Sequence, residues 1–338
     1  MKDFNEDRLR HARKIRRKRR KRIILTIISI FLLISIGGLS FMAYKSYSAL
    51  DNTYSEIERG AKSKLRDEQV YVSNDPFSVL LLGVEDYSSE HDKGRSDTIM
   101  VATFNPKDQT MKLVSIPRDT LVDIPDNGEN KINHSFAYGG KELVIDTVEN
   151  FLNIPIDYYV TVNFNGFKNI IDEVGGVTVD VPFDFYDINK EWDKFYFKEG
   201  KQKLNGEEAL VYARMRKKDP RGDFGRNERQ RQIVTSLIDK ALSPKTFLKV
   251  DDLAEEVGSN VETNMKIKEG LAFLQKYKDF SSSSLEQIEF SGTDEYYSGV
   301  YYFIPDEEKT DEIIKELQHH LQYTPPETED TDEESSSY

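Results

Sequence analysis

The chain has 338 residues, 38% of them hydrophobic, which allows one large domain with a membrane segment or two small domains. Its net charge of −13 hides an asymmetry: Met1–Arg22 carries twelve Lys/Arg against three Asp/Glu, so the remainder carries −22. Cysteine is absent, which excludes a disulfide framework, thiolate zinc sites and cysteine nucleophiles, and suits an oxidising extracytoplasmic space.

Every residue from Arg16 to Arg22 is basic, and Ile23–Tyr44 follows as 22 residues without a charge, long enough to cross a hydrocarbon core of about 30 Å. The spacing predicts a transmembrane signal-anchor helix over 23–44. The positive-inside rule leaves the 1–22 arm in the cytoplasm and everything after Tyr44 outside, a single-pass membrane protein with an extracellular domain. A cleaved signal peptide is the weaker reading, since the run exceeds a usual apolar region and no A-x-A site follows. A basic run abutting a span sets topology, so no nucleic-acid partner is expected.

Lys45–Asn74 reads as a polar, partly helical stalk, 75–323 as the folded domain, and 324–338, with two prolines and six acids, as a disordered tail. Strands are expected at Phe77–Leu82, Thr98–Phe104 and Met111–Ile116. A helix follows at Gly140–Leu152, a strand at Tyr158–Asn163, a helix at Gly166–Val174 and a strand at Val177–Val181. Phe183–Phe197, dense in aromatics and charge, reads as a hairpin packed on the sheet in preference to a lipid or glycan contact. Helices are expected at Gly206–Ala213, Arg226–Leu242, Lys245–Val257 and Lys266–Tyr277. Strands at Leu285–Phe290 and Val300–Ile304 and a helix at Asp306–Leu321 complete the chain. Interleaved strands and helices imply an α/β or α+β sandwich.

Asn105-Pro106-Lys107-Asp108 is a short turn, so the second and third strands pair antiparallel. If the first strand is antiparallel to the second, one sheet edge collects Glu85, Asp86, Arg95, Asp97, Arg118 and Asp119. Hard carboxylate oxygens for Mg²⁺ beside guanidinium forks suit a phosphate site; mutual salt bridges in loops are the equal alternative. Further on, the stripe Ile233, Val234, Leu237, Ile238 and Ala241, extended backwards at helical spacing, places Arg226 and Gln230 on a buried face. A buried arginine needs an anion, and the helix start adds backbone N–H groups aimed at the same spot. Arg214 and Arg216 share a face if Ala213–Arg216 is extended; structural ion pairing of these arginines is the alternative. The chain lacks G-x-x-x-x-G-K-[ST], H-E-x-x-H and G-x-S-x-G. Its five histidines show no ligand spacing, and His319-His320 reads as a solvated helix end.

Seven blocks in one order resemble the LytR-CpsA-Psr (LCP) family of bacterial cell envelopes: Leu80–Asp86, Gly94–Met100, Ser115–Thr120, Lys131–Gly140, Phe164–Val181, Leu204–Lys217 and Gly222–Gln232. The resemblance covers about Asp75–Leu242 together with the basic arm and span. It implies an α-β-α sandwich that holds a polyisoprenyl pyrophosphate and transfers a phosphoglycopolymer, such as teichoic acid, to peptidoglycan. On this likeness Arg95, Arg118, Arg214, Arg216, Arg226, Gln230 and, less firmly, Arg229 contact the pyrophosphate, while Asp97 and Glu85 hold Mg²⁺ (or Mn²⁺). The family usually has Asp after the first block's G-x pair; here Glu85 precedes Asp86, so Asp86 is an alternative ligand. The reaction expected is attack by a muramic acid 6-hydroxyl on the polymer-proximal phosphorus, with Mg²⁺ and the arginines, Arg118 among them, stabilising charge; no motif marks the base, for which Asp223, beside the arginine helix, is the first candidate and Asp119 the second. A membrane-bound regulator of envelope genes and a lipid pyrophosphate hydrolase are the competing functions.

Overall fold

The computed structural model describes residues 53–60, 62–85, 94–241, 260–277, 280 and 284–326. The basic arm, the span Ile23–Tyr44, Asp86, the helix expected at Lys245–Val257 and the tail beyond Pro326 lie outside them. Among the described residues, no helix is long and apolar enough to cross a membrane.

Strands β1 (Phe77–Val84), β2 (Ser96–Asn105) and β3 (Thr110–Ser115) form the antiparallel meander that the short turn implied. β4 (Leu121–Ile124) and β5 (Gly128–Lys131) make a small hairpin before α1 (His134–Leu152), and β6 (Tyr158–Asn163) returns parallel to β1. α2 (Phe164–Glu173) starts where the Asn163 side chain accepts from the Gly166 N–H at 2.8 Å. β7 (Val177–Val181) pairs with β10 (Gly200–Leu204), and between them β8 (Phe185–Ile188) and β9 (Lys194–Phe197) form the expected aromatic hairpin. Then come α3 (Gly206–Arg214), α4 (Asp223–Ala241), β11 (Val261–Thr263) and α5 (Ile267–Lys276). The chain continues through β12 (Leu285–Glu289), β13 (Gly292–Tyr297), β14 (Val300–Pro305) and α6 (Glu307–His320).

The main sheet has the order β11-β6-β1-β2-β3-β12 and carries helices on both faces, a mixed α/β fold. Because successive strand residues point to opposite faces, β1 serves two interiors. Leu80, Leu82 and Val84 join α1 and α6 residues such as Val148 and Leu317 in a solid core. Phe77 and Val79 face the other way, toward Phe273 of α5 and Val234 and Ile238 of α4. That is why β1 reads as continuously apolar.

Two expectations are corrected. From Thr53 the segment read as a stalk lies on the domain without a helix, burying Ile57 and Val72. Its polar groups find buried acids: Arg59 Nη1 meets Glu149 Oε2 at 2.5 Å, Ser63 Oγ donates to Glu149 Oε1 at 2.6 Å, and Arg66 Nη2 meets Asp157 Oδ2 at 2.9 Å. Second, α1 begins six residues before Gly140, which kinks it at φ 65 and lets an extra turn start at His134.

Candidate functional site

The edge where β1 ends, β2 begins and β3 ends collects the charges expected there. Arg118 Nη1 donates to Asp97 Oδ1 at 2.7 Å, and its Nε lies 3.4 Å from Asp119 Oδ2 and 3.8 Å from Asp223 Oδ2. Burial opposes the Arg118 charge, but Asp97, Asp119 and Asp223 together raise its pKa. Gly83 permits the close approach: a Cβ there would sit 2.9 Å from Thr98 Cβ.

α4 brings the second arginine group. Arg226, 5% exposed, keeps Nε and Nη2 buried without a hydrogen-bond partner, and Asp223 Oδ2 lies 3.5 Å from Nη2. Burial makes its charge costly, Asp223 favours it and Arg118 opposes it; the net effect is a lowered pKa. Arg118 Nε is a further buried donor without a partner. Buried guanidinium donors that nothing satisfies are what an arriving anion would fill.

Two cavities open here and share Arg118 and Arg216. The larger, of about 1180 Å³, lies between the sheet face of Val79, Leu81 and Met100 and the roof formed by α2, α4 and α5. Its wall is mostly apolar, with Asp97, Arg118, Arg214, Arg216, Arg226 and Gln230 gathered in it. Tyr186, Ile188 and Trp192 of the aromatic hairpin also line it, while Phe185 and Phe197 stack at 4.7 Å on the hairpin's other side and pack with Tyr212. The hairpin therefore packs mainly on α3 and offers its second face to the cavity. The smaller cavity, of about 210 Å³, is polar, and Arg118 and Arg216 line it too, beside Arg95, Asp119, Lys131 and His134.

Several expectations change. Arg229, 1% exposed, is saturated by protein: Nε donates to the Tyr212 carbonyl at 3.1 Å, and its two terminal nitrogens meet Asp219 and the Met215 carbonyl. It is a structural arginine and not a ligand contact. Ala213–Arg216 is not extended throughout, because α3 continues through Arg214 and the chain turns at Met215 (ψ 129); both arginines still reach the large cavity. Glu85 is exposed and pairs with Lys190 at 3.2 Å, while Asp97 pairs with Arg118. His320 is buried, with Nδ1 2.7 Å from Thr103 Oγ1 and Nε2 2.9 Å from Thr110 Oγ1; only His319 is exposed.

Asp223 sits behind the arginines and is not among the side chains lining either cavity. Its side chain is 8% exposed, with Arg216 Nε 2.8 Å from Oδ1. Burial raises its pKa against Arg226, Arg216 and Arg118, and the Asp119 charge adds to the rise. Asp119 lines the small cavity, but although burial pushes it up, Lys131 at 2.8 Å and Arg118 hold it below the usual range. The pair organises the arginines, and neither member combines exposure to the cavity with useful basicity.

Lys131, Asn133, His134 and Tyr301 line the small cavity and were not singled out from the sequence. Asn127-Gly128 marks the β4–β5 turn that brings Lys131 in. Tyr301 has no local signal: β14 reaches the site through long-range pairing, Phe303 N–H donating to the Asp119 carbonyl at 2.9 Å. Among the described residues no cluster of three His, Asp or Glu converges as a metal cage. Asp97, near the start of β2, and Glu85, just past the end of β1, lie at neighbouring strand ends.

A model of the LytR_cpsA_psr family matches residues 40–319. The polyisoprenyl-teichoic acid–peptidoglycan teichoic acid transferase TagV of Bacillus subtilis is 49% identical over 301 residues, covering 87% of this chain and 77% of TagV. The crystal structure of B. subtilis TagV superposes with a TM-score of 0.69 at 50% identity, covering 75% of this chain and 99% of that one. B. subtilis TagT with bound octaprenyl pyrophosphate lipid superposes at 0.64 with 33% identity, covering 79% and 99%.

Proposed function

Because the chain belongs to the LytR-CpsA-Psr family, we propose that it transfers a phosphoglycopolymer, wall teichoic acid, from a polyisoprenyl pyrophosphate carrier to a muramic acid 6-hydroxyl of peptidoglycan. The observation that carries this reading is a large apolar cavity and a small polar one that share Arg118 and Arg216, with the buried unpartnered donors of Arg118 and Arg226 at the wall of the apolar one. A prenyl chain fills the apolar cavity, its pyrophosphate takes the free donors of Arg118 and Arg226, and Arg214, Arg216 and Gln230 close around it. Arg95, on the polar side, reaches the polymer-proximal phosphate. The likeness to a relative that holds octaprenyl pyrophosphate supports this placement.

Catalysis is positioning and charge stabilisation. Arg118 and Arg226, fixed by Asp119 and Asp223, meet the charge that grows on the leaving lipid phosphate. The apolar wall keeps water from the carrier side. Asp97 and Glu85 would hold Mg²⁺, with Asp86, outside the described residues, the alternative to Glu85. Such an ion supplies Lewis-acid neutralisation of phosphate charge. The run Ile23–Tyr44 anchors the chain with this domain on the outer side, where a lipid-linked donor and peptidoglycan are both within reach.

The test is transfer by the detergent-solubilised full chain, given a lipid-linked donor with and without a glycan acceptor. Polymer should move to the glycan, and Arg118→Ala should slow this by about 10²–10³-fold. Release of polymer phosphate to water with no glycan product would make the protein a hydrolase.

A further inference from the structure

We propose that His134 is the general base of this site, its Nε2 taking the proton of the acceptor hydroxyl in the small polar cavity. The assignment rests on the transferase reading for the identity of the acceptor. Its geometry rests on a chain of hydrogen bonds that fixes which ring nitrogen carries hydrogen.

His134 Nδ1 lies 2.9 Å from Asn130 Oδ1. The same oxygen accepts the Lys131 backbone N–H at 2.9 Å, and a backbone N–H can only donate. Asn130 Nδ2 donates in turn to the Tyr138 hydroxyl at 3.0 Å. Turning the amide over would set two donors against each other at Lys131, so Oδ1 is an acceptor and Nδ1 of His134 must be the protonated nitrogen. Nε2 then keeps its lone pair. Position adds to this. His134 is the first residue of α1, a helix start that disfavours an imidazolium. Burial, then Arg95 and Lys131, lower its pKa, with Asp119 pulling the other way, so the neutral imidazole is the resting form.

A second observation points to a ligand in the same cavity. Asn133, 3% exposed, lines it with Oδ1 buried and without a hydrogen-bond partner. A sugar hydroxyl or an N-acetyl group, which both donate and accept, would satisfy that buried amide. The small cavity therefore suits the glycan acceptor, and it shares Arg118 and Arg216 with the lipid cavity, across which the bond to be broken must lie.

The acceptor oxygen bonds to the polymer-proximal phosphorus as its proton passes to Nε2. The bond from that phosphorus to the bridging oxygen breaks, its electron pair leaving on polyisoprenyl phosphate. The imidazolium then releases the proton to water.

The experiment compares the full chain with His134→Gln and His134→Ala, measuring transfer, donor Kd and the pH profile of kcat. His134→Gln should lower kcat by about 10²–10⁴-fold with donor Kd within about twofold. Added imidazole should restore part of the His134→Ala rate. The wild-type acid limb, below pH 6.5, should vanish in the variants. The charged and titratable groups that line the cavity with the ring, Arg95, Arg118, Asp119, Lys131, Arg216 and Tyr301, and Tyr138, whose ring centroid lies 5.8 Å from it, remain in both variants. A variant that transfers at the wild-type rate, or one that loses donor binding in parallel and gains nothing from imidazole, overturns the assignment. If the wild type only hydrolyses the donor, the transferase reading falls separately, and His134 stands or falls on whether His134→Gln slows that hydrolysis.

Discussion

Arg226 and Arg229 lie three residues apart on α4, both almost wholly buried, yet the structure gives them opposite roles. Arg229 spends its donors on Asp219 and on the Tyr212 and Met215 carbonyls, whereas Arg226 keeps Nε and Nη2 without partners. Removing one half of a saturated buried ion pair leaves the other charge stranded, so Arg229→Met should cost about 3–5 kcal/mol in urea unfolding. Arg226→Met instead removes a guanidinium whose Nε and Nη2 make no hydrogen bond, and it leaves Asp223 still paired with Arg216. Its stability should hold or rise while transfer falls by at least about 10²-fold. Equal destabilisation by the two would erase the distinction. The sequence stripe placed Arg226 and Gln230 on a buried face, and both are buried, because i and i+4 share a face. Arg229 was suggested by the family resemblance alone; it is taken up by backbone carbonyls at and just after the end of α3, which no periodicity within α4 reports.

The start of α4 depends on Gly225. A Cβ there would stand 1.8 Å from Asp219 Oδ2, and that carboxylate is pinned by Arg229 and by the Arg221 N–H at 2.9 Å, so it has nowhere to move. Gly225→Ala should therefore unfold about 1–3 kcal/mol more easily and lower transfer as well, because the turn carrying Arg226 shifts; a fully active variant would refute this. The hairpin β8–β9 offers a direct reading of the lipid cavity. Trp192 is the only tryptophan in the chain, is 79% exposed and lines the cavity wall. Polyisoprenyl pyrophosphate should shift its emission to the blue; an unchanged spectrum at saturation, with binding shown independently, would put the prenyl chain elsewhere. The hairpin itself was legible from its aromatic density. Its two-sided use was not, since alternation says which residues share a face but not that one face borders a void.

At the scale of the whole molecule, the meander, the α/β layering and the charged edge followed from strand signals and one turn, whereas everything closed by distant pairing stayed hidden. The last helix shows this best. Read alone, His319-His320 looks like a solvated end, but α6 packs Ile313 and Leu317 into the main core and carries His320 to the sheet, where it bridges Thr103 of β2 and Thr110 of β3. Burial, then the Lys112 charge, push His320 down to about 4 from 6.5, with Asp108 and Glu286 opposing. The sign of the consequence is set by which state binds the proton. Between pH 6.5 and about 4 the unfolded chain is protonated at this site and the folded chain is not. The contribution is complete above 6.5, drains away as the pH falls, and is lost once the folded state also protonates near 4. A difference of about 2.5 pKa units corresponds to about 3 kcal/mol at most. Urea midpoints measured from pH 7 to 4 should fall for the wild type, and His320→Gln, which can still bridge two hydroxyls but cannot titrate, should flatten that share of the slope. Parallel slopes for the two proteins would mean that α6 is not clamped to the sheet through a neutral imidazole.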